Sequence, residues 1–461
     1  MRLLHAASTV TARFDDPNLV SAAGLVPVLG LAHRCGLGEL TARHVEIDAA
    51  GGANPQLKVP AIVAGMVAGA DSIDDLDVLR HGGMARLFEE VRAPSTLGTF
   101  LRSFTFGHVR QLDAVAARFL PRLARHTPIL PGADEVAYVD VDDTIRRTYG
   151  YAKEGVGYGY SGVKGLNALI ATVSTPLGAP VIAAARLRKG ATSSARGAAR
   201  LVADALVTAR AAGGTGLVIV RADSAFYNSG VVGVARRAGA HFSVTARMDP
   251  AVTRAIAGIP DDDWTTIRYP NAIFDEDEQR WVSDAEVAET CYTAFTSRPK
   301  AERVTARLIV RRVKRLNPRT TSSGQGELFD TWRYHAVFTD SPMTMIQAET
   351  DHRGHAIVEQ VIADLKGSAL AHVPSGRFTA NAAWLVLATI AFNLTRAAGA
   401  LAGVFHTRAA TATIRAHLLT VPARIATSAR RLVLHLPEHW PWRHAWQQLF
   451  ETAMHPPPRP V

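Results

Sequence analysis

The sequence predicts an α/β fold: a sheet covered by helices, interrupted late by a mostly β segment and preceded by a helical region. Three observations predict it. Between residues 131 and 247, short apolar runs of strand character and helical runs follow the order strand, strand, strand, helix, strand, helix, strand. From 248 to 345 helical period fades; Trp264, Trp281 and Trp332, the acid cluster FDEDE, the alternating run VTARLIVRRVKR and the run WRYHAVFTD take over, and they read as mostly β. Helical period then returns in HAIVEQVIADLKG, where Ile357, Val358, Val361, Ile362 and Leu365 mark one apolar face.

Composition narrows the class. At 461 residues and 48% hydrophobic, the chain can bury a large core and suits two or three domains. Lys and Arg number 51 against 41 Asp and Glu, a formal charge of +10, which favours a polyanionic partner such as nucleic acid or an anionic membrane. Cys35 and Cys291 are too far apart in sequence to suggest a metal or redox motif and read as free thiols of a reducing cytoplasm. The first residues lack the pattern of a signal peptide. Between Arg377 and Arg396 no residue is charged, but Asn381, Thr389, Asn393 and Thr395 break a run already shorter than the ~20 apolar residues of a membrane span. A buried core helix is expected there.

Residues 1–130 read as helices joined by short turns, among them GLVPVLGLAHRCGL, VPAIVAGMVAGA and APSTLGTFLRSF. In the last, Ser95 or Thr96 is the expected N-cap, and Leu97, Phe100, Leu101 and Phe104 share a face. Short helices with tight turns suit a helix-turn-helix, and equally a plain bundle. The stretch PRLARHTPILPGADE, with Pro121, Pro128 and Pro131, reads as a linker. Strands are expected at 136–142, 165–173, 180–187, 216–224 and over HFSVTARM, with helices at 194–212 and 229–238; a Gly/Tyr-rich turn, YGYAKEGVGYGYSG, separates the first two strands. This is the element order of the ribonuclease H-like fold. Segments are therefore drawn at 1–130, 131–247, 248–345, 346–405 and a basic 406–461, which ends in the tail HPPPRPV.

The run VAYVDVDDT places three carboxylates, Asp140, Asp142 and Asp143, at the end of a strand otherwise fit for burial. Acid in such a place needs a compensating cation. Period-two alternation puts Asp140 and Asp142 on one face and Asp143 on the other. Asp223 ends another apolar strand, and Glu359 sits on the helix after the β segment, with Lys366 two turns further along the same side. Oxygen-only donors suit Mg²⁺ or Mn²⁺, and two such ions can drive in-line phosphoryl transfer. Each residue also has a plainer reading: Asp223 as a turn cap with Ser224, Glu359 and Lys366 as surface charges. The basic runs Arg311, Arg312, Lys314, Arg315 and Arg186, Arg188, Lys189 read either as solvated faces or as contacts to DNA phosphates.

Jointly, VDVDDT, VIVRADSAFY and HRGHAIVEQVIADLKG, with AGMVAGADSIDDLDVLR and APSTLGTFLRSF upstream, resemble a DDE transposase of a bacterial insertion sequence. The chain is most similar to the group-one class with a β insertion between the second Asp and the Glu, and within it to the branch called IS-thirteen-eighty. The resemblance implies that Asp142, Asp223 and Glu359 bind two Mg²⁺ or Mn²⁺ ions. Asp142 is chosen because relatives place the catalytic Asp two positions before a Thr or Ser, here Thr144; Asp140 is the fallback. In the Tyr-Arg-Glu-Lys signature of related enzymes, Glu359 and Lys366 fit, whereas His352 stands at the Tyr position and His355 at the Arg position, with Arg353 as a substitute from a neighbouring turn. It further implies a bacterial, cytoplasmic, nucleoid-associated enzyme. Its helical amino-terminal region would recognise terminal inverted repeats, and it would act on double-stranded element ends and target DNA as a homodimer, with no membrane partner.

Overall fold

The computed structural model describes residues 1, 3–149, 153–267, 274–275, 280–281, 285–314, 332–429 and 431–456. At its centre lies a mixed sheet of ten strands. Its first five long strands are β1 (Val136–Arg147), β2 (Lys164–Ser174), β3 (Val181–Arg188), β4 (Leu217–Ala222) and β5 (His241–Thr245). They lie in the order β3-β2-β1-β4-β5. β1 runs antiparallel to β2 and parallel to β4, and β4 runs parallel to β5. The segment expected to be mostly β supplies β6 (Ala285–Ala294), β7 (Val304–Lys314) and β8 (Trp332–Thr339), which extend this same sheet because β8 pairs antiparallel with β5. The FDEDE side chains, Trp281's side chain, the loop NPRTTSSGQG, Arg315 and the last five residues of the tail lie outside the described residues.

β1 is five residues longer than the sequence reading gave it, and it carries the acidic run inside the sheet. Its neighbours explain this: Asp140, Asp142, Asp143 and Thr144 pair with Thr172, Ile170, Leu169 and Ala168 of β2, so the ladder continues past the apolar stretch.

The longer helices of the amino-terminal region are α1 (Leu25–Arg34), α2 (Leu37–His44), α3 (Pro55–Ala68), α4 (Pro94–Arg102) and α5 (Phe106–His126). Two expectations are corrected here. Pro121 lies inside α5, buried, and the helix runs through the residues read as the start of a linker. α4 begins at Pro94 after Ala93, so neither Ser95 nor Thr96 caps it; proline's fixed φ and missing N–H suit the first helical turn. Leu97, Phe100 and Leu101 of α4 are buried, as the apolar spacing requires.

Downstream come α6 (Ala198–Ala211), α7 (Ser229–Arg237), α8 (Met345–Arg353), α9 (Ile357–Lys366), α10 (Phe378–Ala402) and α11 (Arg443–Met454). α6 packs on β1, β2 and β3, while α9 lies against β1. The uncharged stretch forms α10, the one described helix long and apolar enough to cross a membrane; 94% of its apolar window is buried inside the protein, packed against α3, α5, α11 and β3. Its polar residues are satisfied within: the Asn393 side chain donates to the carbonyl of Ile182 and accepts from its N–H, both at 2.8 Å. Asn393→Leu leaves both groups of Ile182 unpaired in the interior and is expected to cost about 2–4 kcal/mol, read as a lowered denaturant midpoint. The carboxyl-terminal strands Ala423–Ser428 and Arg431–His435 pair with each other, and the first also pairs with Leu19–Val20, tying the two ends of the chain into one small sheet. Cys35 is buried and Cys291 exposed, both as free thiols.

Candidate active site

Two of the acids are brought together by parallel pairing. Val141 stands opposite Ala222 in the β1–β4 register, so Asp142, within β1, and Asp223, just past the carboxyl end of β4, lie side by side where the parallel pairing stops. Glu359, in the first turn of α9, is near enough for its charge to raise Asp142. Asp142 is half-buried, and its carboxyl is pushed up to about 7. Burial is the main cause; the Asp143 N–H, which donates to Asp142 at 2.7 Å, opposes it, and the charges of Asp223, Asp143 and Glu359 add to it. Asp223 is raised as well, chiefly by burial, with a backbone hydrogen bond from Ala225 and the nearby His355 pulling it down. Asp223 also caps the turn Ser224–Phe226 through that Ala225 N–H at 2.9 Å, so its plainer reading holds alongside its place among the acids. Lys366 is half-buried; burial lowers its ammonium, Arg146 lowers it further, and Asp142 raises it, which sets the amine close to both.

The other acids of β1 have different fates. Asp140 is fully buried and is clamped by Arg221, whose Nε and Nη2 donate at 2.6 and 2.8 Å while the guanidinium stacks 3.9 Å over Tyr138. As the fallback first ligand Asp140 is therefore already engaged. Asp143 faces the opposite side, where Arg188, Asn167 and Ser194 bind it at 2.5, 2.6 and 3.1 Å.

That arrangement corrects the expectation for Arg188. It is 7% exposed, and besides Asp143 it donates to the carbonyls of Ser193, Ser194 and Arg196, so it holds a loop in the interior where no DNA phosphate reaches. Lys189 is exposed. Arg311 and Arg353 both pair with the buried Glu349, at 2.8 and 3.0 Å. Arg312 pairs with Glu286 and lies between the rings of Trp264 and Trp332, at 4.2 and 4.6 Å. The side chain of Lys314, like Arg315, falls outside the described residues. His352 is buried between the hydroxyls of Ser243 and Thr245, both at 2.9 Å, and burial drives its pKa down to about 3. His355 stacks on it with ring centres 5.0 Å apart and is the histidine whose charge Asp223 senses. Sequence reasoning missed Arg221 and Arg146. The signal for Arg221 is a cation in the middle of the apolar run GLVIVRADS, which can be buried only beside an acid.

Among the described residues, no three His, Cys, Asp or Glu side chains stand close enough to enclose a metal ion by themselves. The donors are nonetheless all oxygen, one of them on β1 and one on the residue that follows β4. Their raised pKa values mark negative charge that the surrounding protein compensates poorly, which a hard divalent cation would relieve. Mg²⁺ commonly completes its shell with water and phosphate oxygens, so a carboxylate pair with an exposed Glu359 fits it.

Fold and site thus define a mixed α/β protein with two carboxylates side by side where the parallel pairing of two neighbouring strands stops. The chain matches the family described as Transposase DDE domain group 1 over residues 4–456 and belongs to it. That family implies a transposase, a DNA-acting enzyme of the metal-dependent nucleotidyl transferase kind. No curated protein matched the chain in a sequence search.

Proposed function

We propose that this protein cleaves DNA at the terminal inverted repeats of its own insertion sequence and joins the 3′ ends to target DNA. The reading rests on the β1–β4 register, which sets Asp142 beside Asp223, and on the charges of Asp223 and of Glu359 from α9, which both raise Asp142. In this reading the strand order β3-β2-β1-β4-β5 is that of a ribonuclease H-like core, and the chain sits in the IS-thirteen-eighty branch. Asp142, Asp223 and Glu359 would hold two Mg²⁺ or Mn²⁺ ions, which when bound supply the Lewis acidity for in-line displacement at phosphorus. Lys366 offers a cation to a phosphate oxygen beside the acids, and His355 occupies the place next to Asp223 where relatives carry Arg. Lys189, and the exposed cations of the helical amino-terminal region, would contact the DNA backbone; two copies would act together so that both element ends are processed in one complex.

The test is Asp223→Asn, assayed on a duplex carrying the sequence that borders the coding region. Cleavage in Mg²⁺ is expected to fall by at least ~10²-fold, while binding measured in Ca²⁺ stays within about twofold. Unchanged cleavage would overturn the assignment of Asp223. A wild-type protein that binds these ends but never cuts them would instead make the chain a DNA-binding derivative of a transposase.

A further inference from the structure

The Gly/Tyr-rich connection between β1 and β2 is not used by the site as described, yet it stands beside it. Residues 153–163 form an arm whose backbone is pinned at several points. Lys153 donates to the carbonyl of Val373, Glu154 N–H bonds Gly376 at 2.9 Å, and the Glu154 carboxylate accepts the Phe378 N–H at 2.9 Å. Gly190 N–H bonds Gly155 at 2.9 Å, and Gly157 and Tyr158 pair with Gly165 and Lys164 of β2. Glycine is required where these backbones meet, since a Cβ at Gly190 would run into the carbonyl oxygens of Gly165 and Gly157. The arm is thus a built element.

What it carries is exposed aromatic surface. Tyr158 is 66% and Tyr160 73% exposed, with Tyr149 at 74% where β1 ends. Leaving such rings in water forgoes the stabilisation that burial would give. The arm comes back onto the acid-bearing strand: a Cβ at Gly159, the residue before Tyr160, would stand 3.7 Å from the Ile145 side chain of β1, three residues past Asp142. In keeping with that placement, ionisation of the Tyr160 phenol is opposed first by partial burial and then by the charges of Asp143, Asp142 and Asp223. Exposed cations, Lys164, Lys189 and Arg147, flank the same arm. A phosphate brought to the acids carries its nucleosides with it, and cations beside an uncovered aromatic face match a nucleotide's charge and its base together. In intact duplex the bases already stack on each other, so the partner that fits is an unpaired or terminal base.

We propose that Tyr160, supported by Tyr158, is a stacking surface for an unpaired nucleobase next to the scissile phosphate, and so positions a frayed DNA end on the acids. This rests on the transposase reading above. It makes the arm a positioning device with no part in bond making.

The test uses full-length protein in Ca²⁺ and two probes, a blunt duplex and the same duplex with a four-nucleotide 3′ overhang bearing 2-aminopurine at its first unpaired position. Wild type is expected to bind the overhang probe more tightly and to quench the 2-aminopurine. Tyr160→Ala should weaken overhang binding by about 5- to 150-fold, leave blunt-duplex binding within twofold and abolish the quench, with an unchanged Tm; Tyr160→Phe should behave as wild type. Overhang binding unaffected by Tyr160→Ala, or Tyr160→Phe as damaging as Tyr160→Ala, overturns the stacking role while leaving the transposase reading intact. Wild type that binds neither probe overturns both.

Discussion

Asp142→Asn is expected to abolish DNA cleavage and at the same time to make the metal-free protein more stable at pH 8. The first effect follows from removing one charge of the acidic centre. The second follows from the direction of its pKa shift. The Asp142 carboxyl titrates near 7 in the folded protein, against an ordinary value of 3.8. The folded state therefore holds that proton more tightly than the unfolded chain, and stability is lost as pH rises from about 4 to 7, the loss being complete above 7. Asparagine is neutral throughout, so variant and wild type should match near pH 4 and diverge by pH 8. After discounting for partial exposure the gain is on the order of 1–3 kcal/mol, a rise of a few degrees in Tm. Mg²⁺ should raise the wild-type Tm at pH 8 and leave the variant nearly unmoved, because a ligand stabilises only the state that binds it. Equal melting temperatures at pH 8 without metal would show that Asp142 carries no such electrostatic burden.

Arg221→Met should have the largest effect on stability. Asp140 is 0% and Arg221 3% exposed, and the guanidinium supplies two hydrogen bonds to the carboxylate. Removing the cation strands a buried charge, at a cost of about 3–5 kcal/mol. The double variant Asp140→Leu/Arg221→Met removes both charges and should recover most of that loss, since well-packed apolar pairs commonly replace buried ion pairs without penalty. Thermal unfolding of wild type, single and double variants reads this directly. A single variant within 1 kcal/mol of wild type would mean that the pair is not what keeps Asp140 in the interior.

Alternation along β1 put Asp140 and Asp142 on one face, and pattern alone could not choose between them by physics. The structure separates them by depth and partner: Arg221 of β4, at the same level as Asp140 in the parallel register, takes that carboxylate, and Asp142 is left facing Asp223. Arg188 and Lys189 are neighbours of one charge type, yet one is sealed beside Asp143 and the other is in solvent, because β3 ends at Arg188 and Lys189 lies past it at the start of a turn. Pro121 read as a break because its ring removes a helical hydrogen bond; packing of Phe119, Leu120 and Leu123 around it keeps α5 continuous.

By itself the sequence determined the succession of strands and helices, the buried character of α10, and Asp142 and Asp223 as acids following apolar strand residues, since apolar periodicity and isolated charges in apolar runs are local signals. Only the tertiary structure decided which acids are spent on internal cations, which basic residues still face solvent, and that the late β strands extend the central sheet. Those outcomes depend on which strands lie side by side, and a residue's partner across a sheet comes from a segment tens of positions away that no local pattern names.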